Sequence, residues 1–264
     1  MNRIDKRFKE LKMAGKKAFI AYVTAGDPDL AMTRKVVLAL EGAGVDMIEL
    51  GIPFSDPVAD GPTIQAASQR ALMHGASLKK IFAMVQTLRR NTEIPLVFMT
   101  YYNPVFQFGL NKFFNTCRDT GVDGVIIPDL SIEEAGDAIA LGKKNGVATI
   151  FLIAPTSPRS RIKAIAAKSK GFIYYVSLAG VTGARKKLPP EVAANVKMIK
   201  SMTDKPVAVG FGISDAKQAR SIAKVADGVI VGSAIVRLVG AERGGTVKNT
   251  VKLVKGLARS IHGK

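Results

Sequence analysis

The 264 residues carry 39 Lys or Arg against 21 Asp or Glu, a net charge of +18, with 47% hydrophobic residues and one cysteine, Cys117. A single thiol excludes an internal disulfide, and no apolar run approaches the ~20 residues of a membrane helix. The opening MNRIDKRFKELKMAGKK is too charged for a secretory leader, so a cytoplasmic protein is expected.

The chain opens with an amphipathic helix over Asn2–Met13, striped by Ile4, Phe8 and Leu11. Strands and helices then alternate. Strands are predicted over Ala18–Val23, Asp46–Gly51, Pro95–Tyr101, Asp123–Ile127, Val147–Ile153, Phe172–Val176, Pro206–Val209 and Asp227–Val231. Helices are predicted over Leu30–Ala43, Pro62–His74, Ser77–Asn91, Asn111–Thr120, Ile132–Asn145, Arg159–Lys170, Pro190–Thr203, Asp215–Ala223, Ser233–Val239 and Thr246–Ile261. Gly75, Gly121, Gly146 and Gly171 supply helix stops. The strands are short, β-branched and apolar throughout, as in a parallel sheet covered on both faces. Eight strand–helix units in this length predict an α/β fold, a (β/α)8 TIM barrel. It would have an extra N-terminal helix and additional closing helices, in a single domain over 1–264. Gly-Val-Asp recurs at 44–46 and 121–123 as shared turn chemistry.

In such barrels, chemistry collects at the C-terminal strand ends. The second strand places a carboxylate there. In Asp46-Met47-Ile48-Glu49-Leu50 the side chains alternate, so Glu49 shares the face of Met47 inside an otherwise apolar strand. Burial would push its pKa up, which suits proton transfer near neutral pH. The following loop brings Ser55, Asp56 and Asp60 back between Pro53, Pro57, Gly61 and Pro62. Two carboxylates in different surroundings suit divided acid and base roles. A structural ion pair for Glu49, and a helix N-terminus for Asp60 ahead of Pro62, also fit.

Glycine turns follow the last three strands, at 179–183, 210–214 and 231–234. Glycine lets backbone N–H groups approach a ligand, and phosphate sites recur at the seventh and eighth loops of this fold. Neither a Walker lysine motif nor a dinucleotide fingerprint is present, so a small phosphorylated metabolite is expected. His74 and His262 fall in predicted helices, away from strand ends, which argues against a His-ligated metal and a Ser-His-Asp triad. No lysine lies in a predicted strand to form a Schiff base. Carboxylate acid/base chemistry remains, beside a phenol such as Tyr174 or Tyr101. The basic residues spread over 3–17, 159–170, 185–187 and 243–264, mostly at helical spacing, as in Lys248, Lys252 and Lys255. Such spacing gives solvated helix faces, and with no tryptophan it argues against nucleic-acid binding, while favouring anionic small substrates.

The stretches LGIPFSDP (50–57), ADGPTIQ (59–65), AGVTG (179–183), GFGIS (210–214) and TAGDP (24–28) together resemble the tryptophan synthase α-subunit family, in the same order and across essentially the whole chain. The resemblance implies cleavage of indole-3-glycerol phosphate to indole and glyceraldehyde 3-phosphate, with no metal or cofactor in this chain. It implies Glu49 as the general acid/base and Asp60 on the indole N–H. Phosphate would be held by Gly183, Phe211, Gly212, Gly232 and Ser233. Tyr22, Met99, Tyr101, Ile126, Leu152 and Ile230 would line the indole pocket, with Tyr174 close to the reacting carbon. Pro53, Asp56 and Thr182 belong to the mobile loops that close the site and signal to a β subunit, which carries pyridoxal phosphate in an α2β2 tetramer. Tyr22 stands where phenylalanine is frequent, and the lid carries Arg185-Lys186-Lys187. A stand-alone indole-releasing lyase and a non-catalytic regulatory subunit are the competing expectations.

Overall fold

The computed structural model describes residues 1–177, 190–210, 212–241 and 246–263. Helix α1 (Arg3–Met13) precedes β1 (Ala18–Thr24), α2 (Leu30–Gly42), β2 (Met47–Gly51), α3 (Pro62–Met73), α4 (Leu78–Leu88), β3 (Leu96–Met99), α5 (Tyr102–Phe108) and α6 (Leu110–Thr120). Then come β4 (Gly124–Ile126), α7 (Gly136–Asn145), β5 (Ala148–Ile150), β6 (Leu152–Ile153), α8 (Arg159–Lys168) and β7 (Ile173–Val176). The chain ends with α9 (Pro190–Lys200), β8 (Val207–Gly210), α10 (Ala216–Ala223), β9 (Gly228–Val231), α11 (Ser233–Val239) and α12 (Thr246–His262). Local chemistry sets several boundaries. Asn2, Asp29 and Asp215 accept from the backbone N–H groups of Ile4, Met32 and Gln218 and so cap α1, α2 and α10. Gly121 and Gly146 end α6 and α7 in the left-handed region.

The strands pair in parallel in the order β5-β4-β3-β2-β1-β9-β8-β7-β6. The two ends of that order, β5 and β6, are halves of the single strand expected over Val147–Ile153, parted at Phe151. The ring therefore closes through Phe151, whose carbonyl accepts from the Tyr174 N–H at 3.2 Å. This is the (β/α)8 barrel expected, with one strand broken where the ring closes. Three other expectations are corrected. The third strand stops at Met99, and Tyr101 instead caps α5, a helix not foreseen in the turn after β3. The helix expected from Ile132 begins at Gly136, after a turn. His74 caps α3 instead of lying within it.

Two apolar layers follow from the strand alternation. Phe19, Ala21 and Val23 of β1, with Ile48 and Leu50 of β2, face outward and pack under the helices. Ala18, Ile20, Met47, Val97, Ile126, Ile150, Tyr174, Ala208 and Ile230 face the barrel axis. Ile4, Phe8 and Leu11 of α1 join this inner cluster, so α1 plugs the N-terminal mouth. Gly124 leaves the room that Ile4 fills, since a Cβ there would sit 2.8 Å from Ile4 Cδ1. The exposed sides of α12 carry Lys248, Lys252 and Lys255, as the helical spacing requires.

The N-terminal rim is held by three aspartates, each just before a strand. Asp46 accepts from the Phe19 N–H, Asp123 from the Leu96 N–H, and Asp227 from the Val207 N–H, tying β2, β4 and β9 to neighbouring strands. Each also meets cations: Arg7 on Asp46, Arg3 and Arg89 on Asp123, Lys17 and Lys200 on Asp227. His262 Nε2 lies 2.8 Å from Asp46 Oδ2. The recurring Gly-Val-Asp is the sequence trace of two of these aspartates, Asp46 and Asp123. Asp46→Ala strands the buried Phe19 N–H and leaves Arg7, still paired with Glu10, without its shorter contact, and is expected to lower unfolding stability by roughly 2 kcal/mol in urea titrations. A loss below about 0.5 kcal/mol, the range of ordinary surface substitutions, would show that the clasp adds nothing.

Candidate active site

At the opposite mouth the inner face turns polar. Glu49 of β2 lies beside Tyr22 of β1 in the strand register and is buried. Neither of its carboxyl oxygens has a hydrogen-bond partner among the described residues. Burial, and then the charge of Asp60, push its pKa up to about 8. A structural ion pair is thereby excluded among the described residues, and the group holds its proton at neutral pH.

Asp60 comes from the loop between β2 and α3. Its backbone is fixed on both sides: its N–H donates to the Pro57 carbonyl at 2.9 Å, and its carbonyl accepts from Gln65 Nε2 at 2.8 Å. Its Oδ2 accepts from the Tyr101 hydroxyl at 3.1 Å, and the same hydroxyl accepts from the Ala59 N–H at 2.9 Å. Helix α3 has Gly61 as its N-cap and no side-chain cap bond, so Asp60 is not a capping residue. Burial lifts its pKa to about 6, against the lowering bond from Tyr101. Near neutral pH the two carboxyls therefore sit in opposite states, Glu49 protonated and Asp60 ionised.

The expected pocket residues divide into two sets. Tyr22, Met99, Ile126, Leu152, Tyr174 and Ile230 line the inner face around Glu49. Tyr22 also packs with Ile64 and Ala67 of α3 and with Val236 of α11. Its phenol occupies the space that a side chain at Gly51 would take, and the Tyr174 phenol does the same at Gly210. Burial holds both phenols well above their ordinary pKa, with Asp60 and Glu49 adding to the shift in each. Tyr101 stands apart at the rim, its ring tilted 34° to that of Phe54 with centroids 5.5 Å apart. Its bonds to Asp60 and Ala59 make it a holder of the acidic loop, a role that sequence reasoning missed. Thr24, two residues after Tyr22, carries a buried hydroxyl without a full hydrogen bond among the described residues.

Of the other expected residues, Pro53 is buried, and Asp56 is exposed with its Oδ2 accepting from the Ser55 hydroxyl at 2.6 Å. Gly212 has φ +74°, a conformation suited to glycine. Gly232 and Ser233 open α11, and Gly232 lies against the Tyr22 Cβ, so this turn borders the pocket. Thr182, Gly183 and Phe211 lie outside the described residues, as does the loop Leu178–Pro189 with Arg185-Lys186-Lys187.

The family model described as tryptophan synthase alpha chain matches residues 8–261. The chain belongs to the tryptophan synthase alpha chain family. A tryptophan synthase alpha chain from Geotalea daltonii is 53% identical over 237 residues, covering 90% of each chain. The alpha subunit structure from Legionella pneumophila superposes with a TM-score of 0.92 at 37% identity, covering 99% of this chain and 98% of that one. A structure from work on mutual activation of the tryptophan synthase α2β2 complex of Pyrococcus furiosus superposes with a TM-score of 0.87 at 40% identity, covering 92% and 98%. A tryptophan synthase alpha chain is a carbon–carbon lyase of tryptophan biosynthesis, and the protein is an enzyme of that class.

The buried carboxyl has a consequence for stability. An unfolded Glu49 titrates near its ordinary value of 4.5, and the folded one at about 8. Between these values the unfolded chain releases a proton that the folded chain keeps, so stability falls as pH rises through the window. Glu49→Gln does not titrate. Its melting temperature is expected to gain on the wild type between pH 5 and pH 9, by the equivalent of roughly a few kcal/mol. A difference that stays constant across this range would place Glu49 in a solvated site.

Proposed function

We propose that Glu49 and Asp60 divide the proton handling in the cleavage of indole-3-glycerol phosphate to indole and glyceraldehyde 3-phosphate. The observation that carries this reading is the buried, unpartnered carboxyl of Glu49, protonated near neutral pH, beside the ionised Asp60. Glu49 gives its proton to indole C3. Positive charge then develops on the ring nitrogen, and the Asp60 carboxylate accepts the ring N–H and stabilises that charge. The carboxylate left on Glu49 takes the proton from the glycerol hydroxyl next to the ring. The bond between C3 and the glycerol carbon breaks, its electron pair returns to the ring, and an aldehyde forms. Glu49 ends protonated, so no proton is gained or lost. Because an electron-rich ring accepts the proton, neither metal nor Schiff base enters.

The inner-face residues Tyr22, Met99, Ile126, Leu152, Tyr174 and Ile230 enclose the ring, with Tyr101 holding the Asp60 loop at its edge. Gly212, Gly232 and Ser233, with Gly183 and Phe211, hold the phosphate through backbone N–H groups. Pro53, Asp56 and Thr182 belong to the loops that close over substrate and communicate with a β subunit in an α2β2 tetramer. Val58 and Phe106 are large, exposed apolar side chains near that mouth, which suits a docking rim. Pyridoxal phosphate belongs to that partner, and this chain works without a cofactor. No helix among the described residues is long and apolar enough to cross a membrane. A cytoplasmic location, with neither membrane nor nucleic acid as partner, is part of the proposal.

The test is indole release from indole-3-glycerol phosphate by the purified chain, alone and with a β subunit. Turnover that the partner stimulates is expected. Absence of indole under both conditions would overturn the assignment.

A further inference from the structure

Asp27 lies in the loop after β1, is 1% exposed, and is not needed by the chemistry proposed above. Arg70 of α3 grips it with a two-pronged fork: Nε donates to Oδ1 at 2.8 Å and Nη2 to Oδ2 at 2.7 Å. The loop itself is tightly seated. Gly26 has φ +93°, its N–H donates to the Thr33 hydroxyl, and a Cβ there would meet the Ala76 Cβ at 2.7 Å. On its other side the Arg70 guanidinium lies against Gly240, the C-cap of α11, where a Cβ would collide with it.

Arg70 therefore stands where three parts of the mouth meet. The β1 loop continues the strand that carries Tyr22 and Thr24. Helix α3 begins two residues after Asp60, and its Gln65 holds the Asp60 carbonyl. Helix α11 begins at Gly232 and Ser233. α3 and α11 pack on each other and on β1. A rigid tie at this junction sets the distance between the Asp60 loop and the Gly232 turn.

We infer that Arg70, through its fork on Asp27 and its seat against Gly240, is a positioning residue that fixes Asp60 relative to the phosphate-binding turn. The inference rests on the roles proposed above for Asp60 and for Gly232–Ser233. Arg70 touches no reacting atom. It acts by holding α3 and α11 in register while substrate spans the two.

The experiment compares Arg70→Met, Arg70→Lys and Gly240→Ala with the wild type. Indole release gives kcat, calorimetric titration with glycerol 3-phosphate gives its Kd, and circular dichroism reports folding. Misplacement by about 1 Å lowers rates steeply, so folded Arg70→Met is expected to lose about tenfold or more in kcat and to bind glycerol 3-phosphate several-fold more weakly. Arg70→Lys is expected to remain impaired, because one ammonium cannot engage both oxygens in the fork geometry. A merely structural tie would lower the melting temperature and leave kcat and Kd of the folded protein unchanged. Folded Arg70→Met with both values within about twofold of wild type would overturn the inference. If Arg70→Met does not fold, Gly240→Ala decides, since it displaces the guanidinium and removes no charge. Losses in both readouts support the tie, and wild-type values refute it. A wild type that binds glycerol 3-phosphate but releases no indole sinks the lyase mechanism instead, and the Kd comparison still judges Arg70.

Discussion

Glu49→Gln is expected to lower indole release from indole-3-glycerol phosphate by about a thousandfold or more, near the upper part of what positioned acid/base groups contribute. The amide matches the carboxyl in size and sits at a position whose oxygens have no protein partner among the described residues, so the fold should survive. It has no acidic proton to give to C3 and cannot take one from the glycerol hydroxyl. Both halves of the proton transfer are lost together, and substrate binding should change little, since the proposed phosphate turn at Gly232–Ser233 is untouched. Steady-state kinetics and circular dichroism on the same preparation check this. A variant that keeps full activity would leave the barrel and the substrate class standing and remove Glu49 from the mechanism.

Asp60→Asn should be the second largest loss, roughly a hundredfold in kcat, the scale of removing one group aimed at developing charge. Asparagine can still receive the indole N–H through its carbonyl, but it offers no negative charge to the protonated ring. The substitution also has a signature in pH. Asp60 titrates at about 6 in the wild type, and its charge helps lift Glu49 to about 8. The asparagine variant should lose the acidic limb of the rate profile, and its alkaline limb should move down. An unchanged acidic limb would assign that limb to another group.

Glu49 was legible because a charge in a run of alternating apolar residues has few structural uses, and its face could be counted from Met47. The barrel was legible because parallel strands covered on both faces leave unbroken apolar runs. Closure at Phe151 left no trace, since the break falls within such a run and depends on β5 pairing with β4 while β6 pairs with β7. Helix α5 was hidden by its shortness and by Pro104, which its first turn tolerates and which reads as a turn in sequence. Tyr101 reads in sequence only as pocket lining, because nothing local shows that its hydroxyl reaches Asp60, 41 residues earlier. Of the rim aspartates, Asp46 and Asp123 show in sequence only as a repeated turn and Asp227 not even as that, because the partners lie far off: Arg7 and His262 approach Asp46 from 39 and 216 residues away. The Arg70–Asp27 fork had no sequence signal for the same reason.

The most direct test of the central claim, a protonated Glu49 beside an ionised Asp60, is the pH dependence of kcat/KM for indole-3-glycerol phosphate. The free enzyme's essential acid and base set the two limbs. Activity should rise through about pH 6 as Asp60 ionises and fall through about pH 8 as Glu49 loses its proton. A profile that is flat from pH 5 to pH 9, or that rises through pH 8, would contradict a Glu49 that begins the reaction as the acid.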